Sequence, residues 1–152
     1  MVTSSNELNT TKNNLFDCLY KDDYTKVYFI QEKNILVCEA LQDYIPIEDF
    51  KKVFNFITLN FSLFDKVEKF LFDKQSLRVF HQPSMEWYFV FWKKEMYQKY
   101  NLVNHVKILP QNIPWFEASV KAGRAQIEEK YKDLVVDKLN IEYVNSIDEL
   151  LS

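Results

Sequence analysis

Short apolar segments rich in β-branched and aromatic residues alternate along this chain with longer segments whose apolar residues recur every three or four positions. The strand-like segments are KVYFIQ (26–31), NILVCEAL (34–41), KFLFD (69–73), HVKILP (105–110) and LNIEYV (139–144). The first two are joined by a short polar turn and should pair antiparallel, whereas strands separated by helices pair parallel. The order ββαβαβαβα therefore predicts a single α/β domain with a mostly parallel sheet and an antiparallel first strand.

The helices are predicted from apolar stripes and from their start signals. Pro46 suits the first turn of a helix. The stripe that follows consists of Ile47, Phe50, Phe54, Ile57, Phe61 and Phe64. Pro114 opens a helix whose apolar stripe includes Gly123, the only glycine of the 152 residues. Because glycine is unfavourable inside a helix, this position predicts close approach of the helix to the sheet. The segment SIDELL (146–151) has capping-box spacing and predicts a short last helix.

The aromatic run WYFVFW (87–92) is compatible with more than one structure. Its propensity alone favours a strand, because aromatic residues are common in sheets. However, segment 83–101 contains no glycine and no proline after the first position, and its second half, KKEMYQKYN, is helical in composition. It also lies between two predicted strands, where a crossover helix belongs. We therefore predict a helix with most of its rings in the core.

Composition and charge exclude several kinds of binding protein. A chain with a single glycine cannot contain the glycine-rich loops that bind nucleotide phosphates. Its tight turns at positive φ must use Asn or Asp instead. The net charge of −3 argues against nucleic acid or an anionic membrane as the partner, since both select basic surfaces. A base-stacking use of the aromatic run would also require Arg and Lys along a groove.

Residues 1–20 are polar for most of their length and predict an N-terminal arm before a domain of residues 21–152. The arm is predicted to end in a short helix through Leu15, Phe16 and Leu19. The first residues contain no apolar leader segment, and the chain has no run of about 18 apolar residues. The sequence therefore predicts a cytoplasmic protein without a membrane span.

The residues that carry chemistry in other proteins are scattered here. His81 and His105 have no Cys or His partner at zinc-ligand spacing. Cys18 and Cys38 are predicted to be reduced thiols in a cytoplasm, with a disulfide between them as the alternative. Asp73 ends a strand like the phosphoacceptor of response-regulator receivers, but the other acidic residues and the lysine of such a site are missing. It is therefore predicted to cap a turn. We predict no catalytic residues, no metal, no cofactor and no enzymatic activity.

Three stretches carry a resemblance to a known family. They are LFDKQSLRVFHQPSMEWYFVFWKKEM (71–96), VKILPQNIPWFEASVKAGRAQIEEKY (106–131) and IEYVNSIDELL (141–151). Together with the element order they resemble the STAS superfamily, which has the SpoIIAA-like (anti-sigma-factor-antagonist-like) fold, and more narrowly the STAS-like proteins of Bacteroidetes-type bacteria. The resemblance covers the C-terminal half of the chain, and the N-terminal half matches by pattern only.

In well-understood STAS proteins a partner kinase phosphorylates a serine at the start of the second helix, and the phosphate switches partner binding. The matching loop here is FHQPSMEW (80–87), and its one hydroxyl belongs to Ser84. The resemblance makes Ser84 a candidate phosphoacceptor, although the acidic residue, the second serine and the glycine of the family loop are absent. The alternative role of Ser84 is a first-turn or cap residue that stabilises the helix by about 1 kcal/mol.

The resemblance and the missing catalytic clusters together predict a non-enzymatic regulatory or protein-interaction module. Trp87 lies at a helix end near a loop, where an aromatic residue often anchors a protein interface. The candidate partner-binding residues are Arg78, His81, Gln82, Ser84 and Trp87. The alternative function is binding of a small hydrophobic molecule or lipid in a pocket lined by aromatics such as Tyr88, Phe91 and Trp115. Pairing of the first or last strand would make a homodimer.

Overall fold

The structure is a computed structural model, and it describes residues 16–64 and 66–151. Within these residues six strands form one mixed sheet in the order β1–β2–β3–β4–β5–β6. The strands are β1 (Phe16–Lys21), β2 (Thr25–Ile30), β3 (Ile35–Ala40), β4 (Lys69–Asp73), β5 (Asn104–Ile108) and β6 (Asn140–Tyr143). Strand β2 is antiparallel to β1 and β3, and β3 to β6 are parallel. The prediction of a single α/β domain with a mostly parallel sheet is confirmed. The sheet has six strands rather than the predicted five, and the strand that opposes the others, KVYFIQ, is the second rather than the first.

The strand β1 corrects the prediction for residues 16–20, which were assigned to a polar arm ending in a short helix. They pair antiparallel with β2, and the register shifts between Cys18 and Tyr20. Leu19 and Tyr20 pack against the core from this edge of the sheet. Pairing with β2 supplies the backbone hydrogen bonds, so the tertiary context overrides the local helical pattern. Residues 1–15 of the predicted arm lie outside the described residues.

The described residues contain four helices. They are α1 (Ile47–Asn60), α2 (three consecutive helical segments, Gln82–Glu86, Trp87–Trp92 and Lys93–Tyr100), α3 (Pro114–Lys130) and α4 (Asp148–Leu151). Two short 3-10 turns, Phe61–Leu63 and Val135–Lys138, complete the chain path. Four of the predicted helices are present at the predicted places, whereas β1 replaces the short helix predicted at the end of the arm. Pro46 and Pro114 lie at helix starts as expected, the former as the N-cap residue of α1 and the latter as the first residue of α3.

The aromatic run WYFVFW is helical, as predicted, but its backbone is a π-helix over Trp87–Trp92. The backbone N–H of Lys93 closes this segment with a hydrogen bond to the carbonyl oxygen of Tyr88, five residues earlier. The wider π turn keeps Tyr88, Phe89 and Trp92 buried together. π-helical turns are rare in proteins as a whole. Those that occur are frequently found at functional sites.

The sheet has a thick layer on one face and a thin layer on the other. Helices α1, α2 and α3 contribute to one core together with the side chains of Leu36, Cys38, Phe70 and Phe72. The opposite face carries a smaller core that includes Val37, Leu71 and Val106, and residues of the C-terminal segment 144–151 pack against it. The larger core therefore lies within a single sheet-and-helix layer.

Tight turns in this chain use Asn and Asp where glycine is common. The described residues with positive φ are Asn34, Asn101, Asn112 and Asp133, with φ between 55° and 60°. This confirms the prediction drawn from the single glycine, because Asn and Asp tolerate the left-handed region best among residues with a side chain. Asn101 ends helix α2 in this conformation.

Candidate functional site

The loop that enters α2 is held by a hydrogen bond between two of the predicted partner-binding residues. His81 is the N-cap residue of α2, and its Nδ1 atom accepts from the backbone N–H of Ser84 at 3.4 Å. The Ser84 hydroxyl lies 2.8 Å from the same nitrogen and donates to it. Ser84 is 2% exposed, so a kinase would reach its hydroxyl only after the first turn of α2 opens. The alternative role of Ser84, as a first-turn residue that supports the cap, fits this contact.

The other predicted residues of this loop have separate roles. Gln82 donates from Nε2 to the carbonyl oxygen of Gly123 at 3.3 Å and so ties the start of α2 to α3. Arg78 is exposed and donates from Nη1 to the carbonyl oxygens of Gln75 at 2.8 Å and Leu77 at 2.7 Å. These bonds point the Arg78 guanidinium at its own loop. Arg78 therefore holds the loop rather than lining a common surface with Trp87.

A groove of about 430 Å³ opens on the surface between α1 and the first half of α2. We call it the docking groove. It is lined by Ile47, Lys51, Gln82, Pro83, Glu86, Trp87 and Phe91. Two of the predicted partner-binding residues, Gln82 and Trp87, therefore line one groove, whereas Arg78, His81 and Ser84 do not line it. The sequence did not indicate Ile47 or Lys51, because only the packing of α1 beside α2 brings them to the groove.

The side chains of the docking groove combine exposed apolar surface with opposite charges. The ring of Trp87 packs edge-on against Phe50, with 6.1 Å between ring centroids, and Phe91 is 54% exposed beside it. Lys51 Nζ lies 5.9 Å from the Trp87 ring centroid and forms no ion pair with a described residue. The groove thus has an apolar wall next to an unpaired cation.

The carboxylate of Glu86 is already engaged at the other side of the groove. Its Oε2 atom accepts from the hydroxyl of Tyr131 at 2.5 Å and from Lys130 Nζ at 3.1 Å. These hydrogen bonds, the Tyr131 bond first, lower the pKa of the Glu86 carboxyl. Hydrogen bonding to the charged form is the cause, since it favours the carboxylate. Glu86 therefore links α2 to α3, and Lys51 is the free charge of the docking groove.

The three aromatic residues proposed to line a hydrophobic pocket lie in different places. Tyr88 is 1% exposed and packs inside the core, whereas Phe91 and Trp115 are each 54% exposed. Phe91 contacts Tyr131 and Trp115 contacts Phe116, with ring centroids 6.5 and 6.0 Å apart. The described ring contacts do not join Tyr88, Phe91 and Trp115 to one another. The structure therefore does not bring these rings together around a common cavity.

Three lysines are buried inside the larger core layer. Lys74, Lys93 and Lys107 are 2%, 0% and 2% exposed. Burial lowers the pKa of Lys74 to about 8. Burial, followed by the nearby charges of Lys74 and Arg124, lowers the pKa of Lys93 well below its ordinary value, and burial with the same cationic neighbourhood does so for Lys107. Desolvation disfavours the charged form of an amine, and like charges add to the effect.

His105 lies beside these lysines and is neutral. It is 1% exposed, and neither ring nitrogen has a hydrogen-bonding partner in the described part of the chain. Burial, with the charges of Lys93 and Lys107, lowers its pKa to about 2. The strand periodicity places His105 and Lys107 on the same face of β5, the face that α2 covers. No local sequence signal distinguishes these inward lysines from surface lysines.

The remaining predicted residues keep structural roles. Asp73 accepts from the backbone N–H of Gln75 at 3.0 Å through Oδ1, which confirms the predicted turn cap. Cys18 is exposed and Cys38 is buried, and both are free thiols on strands separated by β2. Burial raises the pKa of the Cys38 thiol, so it stays protonated and unreactive.

Across residues 16–64 and 66–151, His, Cys, Asp and Glu side chains do not gather into groups of three able to hold a metal ion. In the same part of the chain, no helix has the length and apolar character needed to cross a lipid bilayer. Comparison of the chain with protein-family models, with curated proteins and with solved structures finds no match.

Proposed function

We propose that this protein is a non-enzymatic regulatory module of the STAS-like type that binds a partner protein through the docking groove. The observation that carries the proposal is the apolar wall formed by the half-buried Trp87 and the exposed Phe91, beside the ammonium of Lys51, which has no ion pair among the described residues. Aromatic residues held in a preformed recess are the usual anchors of protein interfaces. The resemblance to the STAS superfamily independently implies partner binding at the loop that enters α2.

The chemistry of the docking groove specifies what kind of segment it accepts. Phe91 and Trp87 offer a surface for one large apolar side chain. Lys51, which lacks an ion pair among the described residues, offers a charge-assisted hydrogen bond to a carboxylate. The occupant is therefore a segment of a partner protein that carries an apolar anchor next to an acidic residue.

The groove can be tested by site-specific cross-linking in the living host. A photo-reactive amino acid replaces Phe91, and in a matched chain it replaces Leu59, which is 80% exposed on α1 and does not line the groove. Position 91 should cross-link to one partner protein and position 59 should not. Mass spectrometry of the cross-linked peptide should place an acidic residue beside the attached apolar residue.

Charge reversal then tests the contribution of Lys51. Binding of the purified partner should weaken at least tenfold in Lys51→Glu, which corresponds to roughly 1.4 kcal/mol. The control is Lys52→Glu, which makes the same charge change at the neighbouring exposed position outside the groove. Equal cross-linking at both positions, equal losses in both charge variants, or cross-linking to a second copy of this chain alone would reject the proposed partner.

A further inference from the structure

We propose that the buried lysines Lys74, Lys93 and Lys107, with Arg124 at their outer side, form a binding site for the phosphate group of a small molecule or for free phosphate. We call this set the lysine cluster. It lies inside the sheet-and-helix layer and shares no residue with the lining of the docking groove. It is therefore independent of the partner surface proposed above.

The fold brings the four cations together from four different elements. Lys74 follows β4 directly, Lys107 lies near the end of β5, Lys93 follows the π-helical turn of α2, and Arg124 lies in α3. The ends of β4 and β5 are carboxyl ends of neighbouring parallel strands, and ligands of open α/β sheets bind outside such ends. Each of the three lysines has at most 2% of its surface exposed.

The distances of the four basic groups from two neighbouring aromatic rings show that these groups lie close together. Lys93 Nζ is 4.7 Å and Lys107 Nζ is 4.1 Å from the centroid of the Phe89 ring, and the Arg124 guanidinium is 5.7 Å from it. Lys74 Nζ is 5.8 Å from the centroid of Tyr88, whose ring lies 5.5 Å from that of Phe89. Four cationic groups thus surround one pair of aromatic rings.

None of the three lysines has a carboxylate partner in the described part of the chain. The described ion pairs involve other lysines, and Arg124 alone of the cluster pairs with an acid, Glu128, at 3.2 Å. Among the described residues Lys93 Nζ has no hydrogen-bonding partner, and the one described contact of Lys74 Nζ with a polar atom is Met85 Sδ at 3.9 Å. Burying an unpaired ammonium costs several kcal/mol, so a bound anion would remove a cost that the chain itself leaves uncompensated.

The number and type of cations identify the ligand class. Ammonium groups are compact point charges that bind phosphate, and several of them around one point match a multiply charged oxyanion better than a single carboxylate. The aromatic rings keep water away, which strengthens the attraction between the anion and the lysines. Contacts with Phe89 and Tyr88 hold the lysine side chains in place when the anion is absent, and a bound anion would favour the protonated form of their amines.

The backbone of α2 departs from α-helical geometry directly before Lys93. The π-helical turn ends at Trp92, and the next residue, Lys93, is completely buried, whereas Lys94 is exposed. Phe89 and Lys93 therefore share the inner side of the helix across the wide turn. Single π-helical turns inside α-helices occur frequently at functional sites.

Calorimetric titration and thermal unfolding of the full chain test the lysine cluster directly. One arm uses inorganic phosphate and a second uses a nucleoside monophosphate, each against sodium chloride at the same ionic strength. Binding of one equivalent and a rise in Tm are expected. Tighter binding of inorganic phosphate would assign the site to the free anion, and tighter binding of the ester would assign it to a phosphorylated small molecule.

The matched variants are Lys93→Met and Lys94→Met, which remove adjacent lysines, one buried and one exposed. Affinity should fall at least tenfold in Lys93→Met and stay unchanged in Lys94→Met. Lys107→Met serves as the second cluster variant if Lys93→Met does not fold. The site is disproved if neither probe stabilises the protein beyond chloride, or if both adjacent variants lose affinity equally. Cross-linking through position 91 should not change with Lys93→Met, which separates this test from that of the docking groove.

Discussion

At the residue scale, Gly123 shows how a local signal identifies a position but not its neighbour. Its place on the apolar stripe of α3 predicted close approach to the sheet. The close approach exists, but it is to the loop that enters α2, because a Cβ atom at position 123 would lie 2.5 Å from Cζ of Phe80 and 2.6 Å from Oε1 of Gln82. The glycine therefore allows close contact between α3 and that loop, and the predicted contact partner was wrong.

We expect Gly123→Ala to destabilise the protein by about 1–3 kcal/mol through overpacking against Phe80. Helix propensity alone would give the opposite sign, a gain of about 1 kcal/mol. Chemical unfolding in urea measures the difference. The control is Ala122→Gly at the exposed neighbouring position, which should cost about 1 kcal/mol from propensity alone. An increase in stability for Gly123→Ala would show that the loop moves freely away from α3.

At the scale of elements, α2 joins the sheet to α1 through its aromatic residues. Trp92 is 1% exposed, and its indole N–H donates to the carbonyl oxygen of Phe54 at 3.1 Å and lies 3.0 Å from Thr58 Oγ1. Its ring centroid lies 4.8 Å from that of Phe54 and 5.0 Å from that of Phe70. Trp92 is thus both a packing and a hydrogen-bonding link between two helices and the sheet. The prediction of a buried aromatic helix is confirmed, and the π geometry was not predicted.

We expect Trp92→Phe to lower the free energy of unfolding by about 2–4 kcal/mol, because it leaves a cavity and removes a buried hydrogen bond. The same substitution at Trp115, which is 54% exposed, should change stability by less than about 0.5 kcal/mol. Urea unfolding followed by circular dichroism compares the two variants without relying on tryptophan fluorescence. Similar losses at both positions would contradict the role assigned to Trp92.

At the scale of the whole molecule, the helices α1, α2 and α3 cover one face of the sheet and enclose Lys74, Lys93 and Lys107. None of these lysines forms an ion pair with a described acidic residue. The pKa of each lysine is lowered in the folded state, to about 8 for Lys74 and well below the ordinary value for Lys93 and Lys107. In the unfolded chain the pKa of each lysine would be about 10.4. Between the folded and unfolded pKa values the folded protein binds fewer protons than the unfolded chain, so its stability rises with pH.

Stability in chloride buffer is therefore expected to rise from pH 7 to pH 9, by roughly 1 kcal/mol per pH unit for each lysine that is neutral when folded. Above this window the raised pKa values of the Cys38 thiol and the Tyr20 hydroxyl act in the opposite direction. Urea unfolding at pH 7, 8 and 9 measures the slope. Lys93→Met should be more stable than the natural chain at pH 7, by about 1 kcal/mol or more, and should have a shallower slope. A stability that is flat or falls over this range would show that the lysines stay solvated or paired.

The alternation of strands and helices, the helical state of the aromatic run and the Asn and Asp residues at positive φ were all predictable from the sequence. Each of these depends on periodicity or on the conformational preference of single residues, which are properties of neighbours along the chain. The strand Phe16–Lys21 was not predictable in this way, because it forms through pairing with β2 rather than from a local sequence pattern.

Only the tertiary structure decided which surfaces and which charges come together. The docking groove joins Lys51 of α1 to Trp87 and Phe91 of α2, and no spacing along the chain predicts that contact. In the pair Lys93 and Lys94, one ammonium is buried beside Phe89 and the other faces solvent. The two residues are identical in chemistry and adjacent in sequence, so their difference arises from the helical geometry of α2, which turns them to different sides, and from the sheet that covers only one of those sides.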